Sequence, residues 1–320
     1  MANMIDSVNA TKPSVTKIVN QLRMLLVLIG LVVVFAIFVP YFWSAKNFSA
    51  IGLTISVIGI VCIGQSFALL TGDFDLSVGS VASFCGIVVA ILTKTYGMYP
   101  LMFVAGIALG ALIGLVNGLL ISKAKVNALI TTLGMMTALQ GGTWLVSNGF
   151  TVGVNTPQFR FLGTTLVAGI PLPVIILVVL YAVFYLVLRF TVFGRKVYSV
   201  GGNPEAARLS GINVDRVKIL VFILLGVLSS FGGILLASRL GSANTQAGIQ
   251  YPLNSIGACV LGGIAISGGV GNLFGALIGV AIIGVLGNGL IMAGIPSYWQ
   301  WVANGFVLIL AVYLDTRRRR

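Results

Sequence analysis

The chain has no histidine, one glutamate and five aspartates in 320 residues, and only 8% of its residues are charged. A chain without histidine has no imidazole to bind zinc or to shuttle protons near neutral pH. Three cysteines, Cys62, Cys85 and Cys259, lie inside apolar stretches. An odd number at wide spacing forms neither a disulfide framework nor a metal site, and they read as small buried hydrophobes. The acids are Asp6, Asp73, Asp75, Glu205, Asp215 and Asp315, and none falls in the middle of an apolar run. Such a residue is the usual mark of an ion or proton path, so the sequence argues against proton-coupled transport. A lysine-bearing phosphate loop, GxxxxGK[ST], is also missing, which excludes ATP hydrolysis by that route. The stretch "GGVGNLFG" has glycines but no lysine. With no catalytic group to assign, the chain is not read as an enzyme.

What is abundant is apolar: 58% of the residues are hydrophobic, and 41 are glycine. Soluble domains carry about 25% charged residues, and so few charges cannot cover this much apolar surface in water. The fitting solvent is lipid, where one helical span takes about 20 mostly apolar residues. The expectation is an all-α polytopic membrane protein, with runs at 22–39, 51–70, 76–92, 101–121, 128–146, 172–188, 219–237, 255–267, 273–292 and 299–314. That is about ten transmembrane helices. The eighth run is short and glycine-rich, so it is expected to be tilted, broken or begun earlier. The first run follows a polar tail, and the bulky "PYFWSAKN" after it is no cleavage site, so it reads as a span and not as a signal peptide.

Charge sets the sidedness. Ten spans place 1–23, 123–125, 189–218 and 315–320 on one side, with fifteen of the nineteen basic residues; Lys46, Lys94, Arg160 and Arg239 fall on the other. The positive side is cytoplasmic, so both termini are expected inside. The +13 formal charge is topological and implies no nucleic-acid partner. The chain reads as one permease domain, with a tail 1–21, a membrane domain 22–314 containing an inner loop 190–216, and a basic tail 315–320. The loop 147–171, with "SNGFTVGVNTPQF", faces outward and serves either as a lid or as a contact for an external partner.

Glycines spaced by four, Gly106, Gly110, Gly114 and Gly118, and again Gly271, Gly275 and Gly279, each mark a face where another helix backbone comes close. "LLTGDFDLSVGSV" and "AISGGVGNLFGAL" join runs through similar glycine turns and hint at an internal repeat. Gln65, Asn117, Gln140, Trp144, Asn288 and Asn304 are polar or amphipathic groups near or within spans. They are candidates for a translocation path, and equally for hydrogen bonds between helices.

"EAARLSG", residues 205–211, resembles the EAA loop of ABC importer permeases. "FGRKVYSVGGNPEAARLSGINV" (193–214), "TGDFDLSVGS" (71–80) and "ACVLGGIAISGGVGN" (258–272) resemble three successive signatures of the ribose, arabinose and galactose permease family. "GDFDLSV", "NALITTL" (127–133) and "ILLASRLGSA" (234–243) look most like its L-arabinose branch, while "GGNPEAA" is equally at home in the galactose branch. The resemblance covers almost the whole chain. It implies a permease pair in the bacterial inner membrane, a tandem ATPase on the cytoplasmic side holding the ATP and Mg, and an extracytoplasmic sugar-binding protein. It implies that Gly201, Gly202, Asn203, Glu205, Ala206, Ala207 and Gly211 couple to the ATPase. Their chemistry suits a short helix: Asn203 as cap, Pro204 at the first position, Glu205 on the positive end of the dipole and Gly211 in a left-handed turn. A bare capped connector would look the same. Asp73 and Asp75 are left either as caps of the third span or as gating residues. The same resemblance leaves galactose, ribose, xylose, autoinducer-2 or nucleosides as alternative cargoes, and two rivals stand beside the importer reading: a facilitator working without ATP, and a structural subunit whose partner forms the path.

Overall fold

The computed structural model describes residues 15–296, 298–306 and 309, with side chains from residue 24 onward. The chain is helical nearly throughout. The helices are α1 (Val15–Phe38), α2 (Ala45–Leu70), α3 (Val78–Tyr96), α4 (Tyr99–Ser122), α5 (Ala128–Ser147), α6 (Pro157–Thr164), α7 (Leu172–Phe190), α8 (Val192–Gly202), α9 (Pro204–Leu209), α10 (Val214–Leu240), α11 (Tyr251–Leu261) and α12 (Leu273–Met292). Helical backbone resumes at 298–306. Two-residue strands make two small antiparallel pairs, β1 (Val152–Gly153) with β4 (Ser242–Ala243), and β2 (Leu166–Val167) with β3 (Ile170–Pro171).

Among the described residues, six helices are long and apolar enough to cross a membrane: α2, α3, α4, α7, α10 and α12. The other four expected runs stand outside that set for separate reasons. The first run lies on α1, a 24-residue helix whose side chains are described only from Met24, so its apolar part within the described residues is Met24–Phe38. In α5, "ALITTLGMMTALQGGTWLVS" interleaves threonine, glycine and glutamine with the apolar residues. The tenth run continues into 307–308 and 310–314, outside the described residues, where the N-terminal tail to residue 14 and the basic tail 315–320 also lie. The eighth run differs from its expected bounds of 255–267. The helix is α11, starting at Tyr251 and ending at Leu261. The chain from 262 to 272 is non-helical because Gly263, Gly268, Gly269 and Gly271 all adopt positive φ. The inner loop also differs from a simple connection, since it folds into α8 and α9, and α10 begins at Val214, ahead of the apolar run.

The core is built around α10 and α2. From Ser56 to Leu70 every residue of α2 is buried, as befits a helix that is apolar all round. The α4 glycines lie against α10. A Cβ on Gly110 would meet Gly226 O at 2.5 Å, one on Gly114 would meet Phe222 O at 2.2 Å, and one on Gly118 would meet Ile219 Cα at 2.9 Å. Gly106 faces Val89 and Ile234 instead. On α12, Gly275 and Gly279 approach the carbonyls of Gly262 and Ala258, at the end of α11. Gly271 sits against Ile264. Cys62 of α2 and Cys259 of α11 are in contact, with sulfurs 3.3 Å apart; all three cysteines are free and buried.

At the other end of the bundle the segment 148–171 is a packed cap. Ser238 donates to the Phe159 carbonyl at 2.6 Å and accepts from the Gly163 N–H at 2.9 Å, which pins α6 to the end of α10. The β1–β4 pair ties the same segment to the chain after α10. The groove beside α6, about 720 Å³, is walled by Tyr99, Phe103, Phe161 and Leu162. That apolar wall does not suit a monosaccharide, which needs hydrogen-bonding partners.

Candidate functional site

The site begins with α8. Thr191 caps it, its Oγ1 accepting from the Gly194 N–H at 3.1 Å. Gly194, Val197, Val200 and Gly201 form its buried stripe. The helix stops at Asn203, whose backbone turns extended (φ −158°, ψ 104°). The Asn203 Oδ1 then accepts from the Ala206 N–H at 3.0 Å, and Pro204 fills the first position of α9. Gly211 closes the turn at φ +79°, with its N–H on the Arg208 carbonyl and the Ile212 N–H on that of Ala207.

Only Ala207 of α9 is buried. Glu205, Ala206 and Arg208 are exposed, as are Gly202 and Asn203 before them. Leu209 is 86% exposed, an apolar side chain left bare on a polar segment. Asp215, at the first turn of α10, gathers the basic groups around this helix. Lys125 Nζ lies 2.8 Å from its Oδ1, Lys123 Nζ 3.4 Å from Oδ2 and Arg208 Nη2 3.7 Å from Oδ1. The α4–α5 connection, α9 and α10 are thereby held by one carboxylate. Nothing in a linear string reveals which basic groups surround Asp215.

A second polar cluster lies in the connection 71–77, between α2 and α3. Asp75 does not cap α3; the N-cap is Ser77, which makes no side-chain cap bond. Instead Asp75 is 3% exposed and folds into an Asx turn, its Oδ1 accepting from the Ser77 N–H and the Ser77 hydroxyl, both at 2.6 Å. Asn117 of α4 donates to Asp75 Oδ2 at 3.3 Å and to Ser77 Oγ at 3.1 Å. Gln65 of α2, oriented to satisfy both of its ends, accepts from the Asp75 N–H at 3.2 Å and donates to its carbonyl at 3.3 Å. Three residues singled out separately in the sequence, Gln65, Asp75 and Asn117, thus form one buried network. Asp73, two residues earlier, pairs with Lys218 of α10, 2.7 Å from Nζ to Oδ2. Lys218 and Ser77 were not singled out beforehand. Lys218 stood among the topological charges, and only the fold brings it to Asp73.

The remaining polar candidates share no hydrogen bond with this network. Gln140 on α5 donates to the Thr245 carbonyl at 3.0 Å, and Trp144 is half exposed on the same helix. Asn288 on α12 keeps a buried Oδ1 with no hydrogen-bond partner among the described residues, and Asn304 is half-buried in the last helical stretch.

The two clusters and the glycine turn before α12 touch. Gly269 donates to the Leu70 carbonyl at 3.0 Å, and Gly201 lies against both. The three motif stretches, 71–80, 193–214 and 258–272, therefore converge on one end of the bundle.

A multi-spanning helical bundle with one elaborated helical connection is the architecture of a membrane permease component. The chain belongs to the family described as branched-chain amino acid transport system / permease component, whose pattern matches residues 47–312. It is 40% identical over 304 residues to the L-arabinose transport system permease protein of Escherichia coli K12, covering 95% of this chain and 93% of that one. It is 36% identical over 305 residues to the L-arabinose ABC transporter permease protein of Azospirillum brasilense, covering 95% and 90%. To the ribose import permease protein of Escherichia coli K12 it is 38% identical over 301 residues, covering 93% and 94%. No solved structure matches the chain.

Proposed function

We propose that the protein is the membrane-spanning subunit of an ABC importer for a monosaccharide, a pentose such as L-arabinose. A sugar is favoured over a branched-chain amino acid because the relatives at 36–40% identity carry arabinose and ribose in their names. Ribose is the alternative, since the arabinose and ribose relatives are matched almost equally. ATP and Mg belong to a separate tandem ATPase, and an extracytoplasmic binding protein delivers the sugar. Two permease copies, each with ten spans and both termini inside, sit in the inner membrane. The supporting observation is α9: a capped helix, joined to the bundle through Ala207, that presents Glu205, Ala206 and Leu209 to solvent. One bare leucine is ordinary on a protein surface; what favours a dock is that this exposed, capped helix carries the EAA-like stretch 205–211.

The experiment is Glu205→Ala, assayed for membrane level, ATPase copurification and uptake. The side chain is exposed and makes no ion pair among the described residues, so its removal costs at most a dipole interaction, about 0.3–1 kcal/mol. The expected result is a near-normal membrane level with weakened ATPase association. A variant that binds the ATPase and transports like the parent reduces α9 to a connector.

Sidedness has its own test. Cysteines introduced at Asn155 and Ser199, both exposed, are offered to an impermeant thiol reagent in intact cells. The native thiols are buried and give little background. The cysteine at 155 should label and the one at 199 should not; the reverse pattern overturns the orientation.

A further inference from the structure

The meeting of 70–77, 201–202 and 268–269 is made of backbone. A Cβ on Gly201 would lie 1.8 Å from the Leu70 oxygen and 2.6 Å from the Gly269 nitrogen. A Cβ on Gly268 would lie 2.8 Å from the Gly72 nitrogen and 2.9 Å from the Gly201 oxygen. One on Gly269 would meet Gly202 Cα at 2.7 Å. Gly202, next in the chain to Gly201, faces open space, so the closeness belongs to one side of α8 only.

Such a joint contains no flexible side chain to absorb a displacement. Close-packed atoms are poorly compressible and pass strain on. Beyond the joint, the chain runs from Gly72 to Asp73, which Lys218 ties to α10, and then to the buried Asp75 that holds Gln65 of α2 and Asn117 of α4. The connection 71–77 thus reaches α10, α2 and α4 within a few residues, and the end of α8 meets the chain just ahead of it, at Leu70, and through Gly268, which lies against both Gly72 and Gly201.

We propose that Gly201 and Lys218 are positioning residues of a mechanical relay, in which the end of α8 pushes on the connection 71–77 and the Asp73–Lys218 pair makes that connection move with α10. This rests on the reading of α8 and α9 as the ATPase dock. Gly201 supplies the contact, not the dock itself. Lys218 fixes the receiving loop to the long central helix. The carboxylate network then spreads the movement to the two helices flanking it.

The test uses the whole complex in proteoliposomes: permease, ATPase and binding protein, with radiolabelled L-arabinose and D-ribose as probes. Gly201→Ala and Lys218→Gln are compared with the parent for ATPase copurification, for ATP hydrolysis with and without loaded binding protein, and for uptake. Both variants should keep the ATPase. Uptake per ATP should fall about tenfold, within the 5–150-fold range usual for coupling between sites. Hydrolysis should no longer follow the loaded binding protein. Parent-like coupling in either variant overturns the relay. So does loss of the ATPase from Gly201→Ala, which would make the joint part of the dock. If Gly201→Ala does not reach the membrane, Lys218→Gln decides by the same readings, its side chain lying at the edge of the bundle and partly exposed. A parent complex that never retains an ATPase, or that accumulates sugar without ATP, refutes the importer reading instead and is seen before any variant is made.

Discussion

Gly114→Val removes the protein from the membrane. The Cβ alone would lie 2.2 Å from the Phe222 oxygen, 2.9 Å from its carbonyl carbon and 3.0 Å from Ile223 Cα. All three are backbone atoms of α10, so no side chain can turn aside to make room. The helices must separate, and α10 also packs on α2 and α3. Overpacking costs about 1–3 kcal/mol where side chains can adjust, and prying two backbones apart belongs above that range. Gly226→Val, whose Cβ would meet the Gly110 oxygen at 2.1 Å from the other side, should fail in the same way. Gly30→Ala on α1, where nothing lies within 4 Å, is the control and should accumulate normally. The measurement is permease recovered in detergent extract as a monodisperse peak. Normal recovery of Gly114→Val would mean that α4 and α10 are not held by this contact.

Asp75→Ala should cost about 1–3 kcal/mol for each buried partner left unpaired, and several are left: the Ser77 N–H, the Ser77 hydroxyl and the Asn117 amide. Asp75→Asn should be far milder. The Asn117 Oδ1 is buried with no hydrogen-bond partner among the described residues; if the Asn117 amide reverses, that oxygen accepts from the new asparagine. Burial pushes the Asp75 carboxyl above its ordinary value, while the hydrogen bonds from Ser77 and Asn117 pull against that. A raised pKa in the folded state means that the folded protein holds this proton more tightly than the unfolded chain. Its contribution to stability is therefore complete below the unfolded value of about 3.9 and is lost as pH rises through the raised folded value. The melting temperature of the purified parent should fall over that interval on going to higher pH, and Asp75→Asn should flatten this component. Were Asp75→Asn as damaging as Asp75→Ala, the negative charge itself, and not the hydrogen-bonding shape, would be what the site requires.

Much of the molecule is legible without coordinates, because lipid imposes simple rules. Apolar runs of about 20 residues become helices since the backbone has no other way to satisfy its polar groups there. That rule gives α2, α3, α4, α7, α10 and α12 within a few residues. Local chemistry gives α9 as well. Asn203, Pro204 and Gly211 act on neighbours two to four residues away, so their roles can be read from adjacency. The glycine spacing on α4 announces a close helix, but the string does not say that the partner is α10.

The eighth run shows where periodicity stops informing. Its hydropathy continues through 262–267, yet the glycines at 263, 268, 269 and 271 take backbone angles that no helix allows; 268, 269 and 271 do so against close backbone neighbours, while 263 faces open space. The same holds for the acids. By sequence Asp75 sits where a cap should, but its carboxylate turns inward to Ser77 and Asn117, 42 residues away on another helix. Lys218 finds Asp73, and Asp215 collects Lys123, Lys125 and Arg208, through contacts that no local spacing encodes. The sequence by itself determined the solvent, the helical class, most of the spans and the capped helix α9, because each depends on composition or on neighbours in the chain. The tertiary structure alone decided that Gln65, Asp75 and Asn117 form one network and that Gly72, Gly201 and Gly269 form one joint. Long-range polar pairs and backbone contacts depend on how whole helices cross, and that is fixed only when the entire bundle packs.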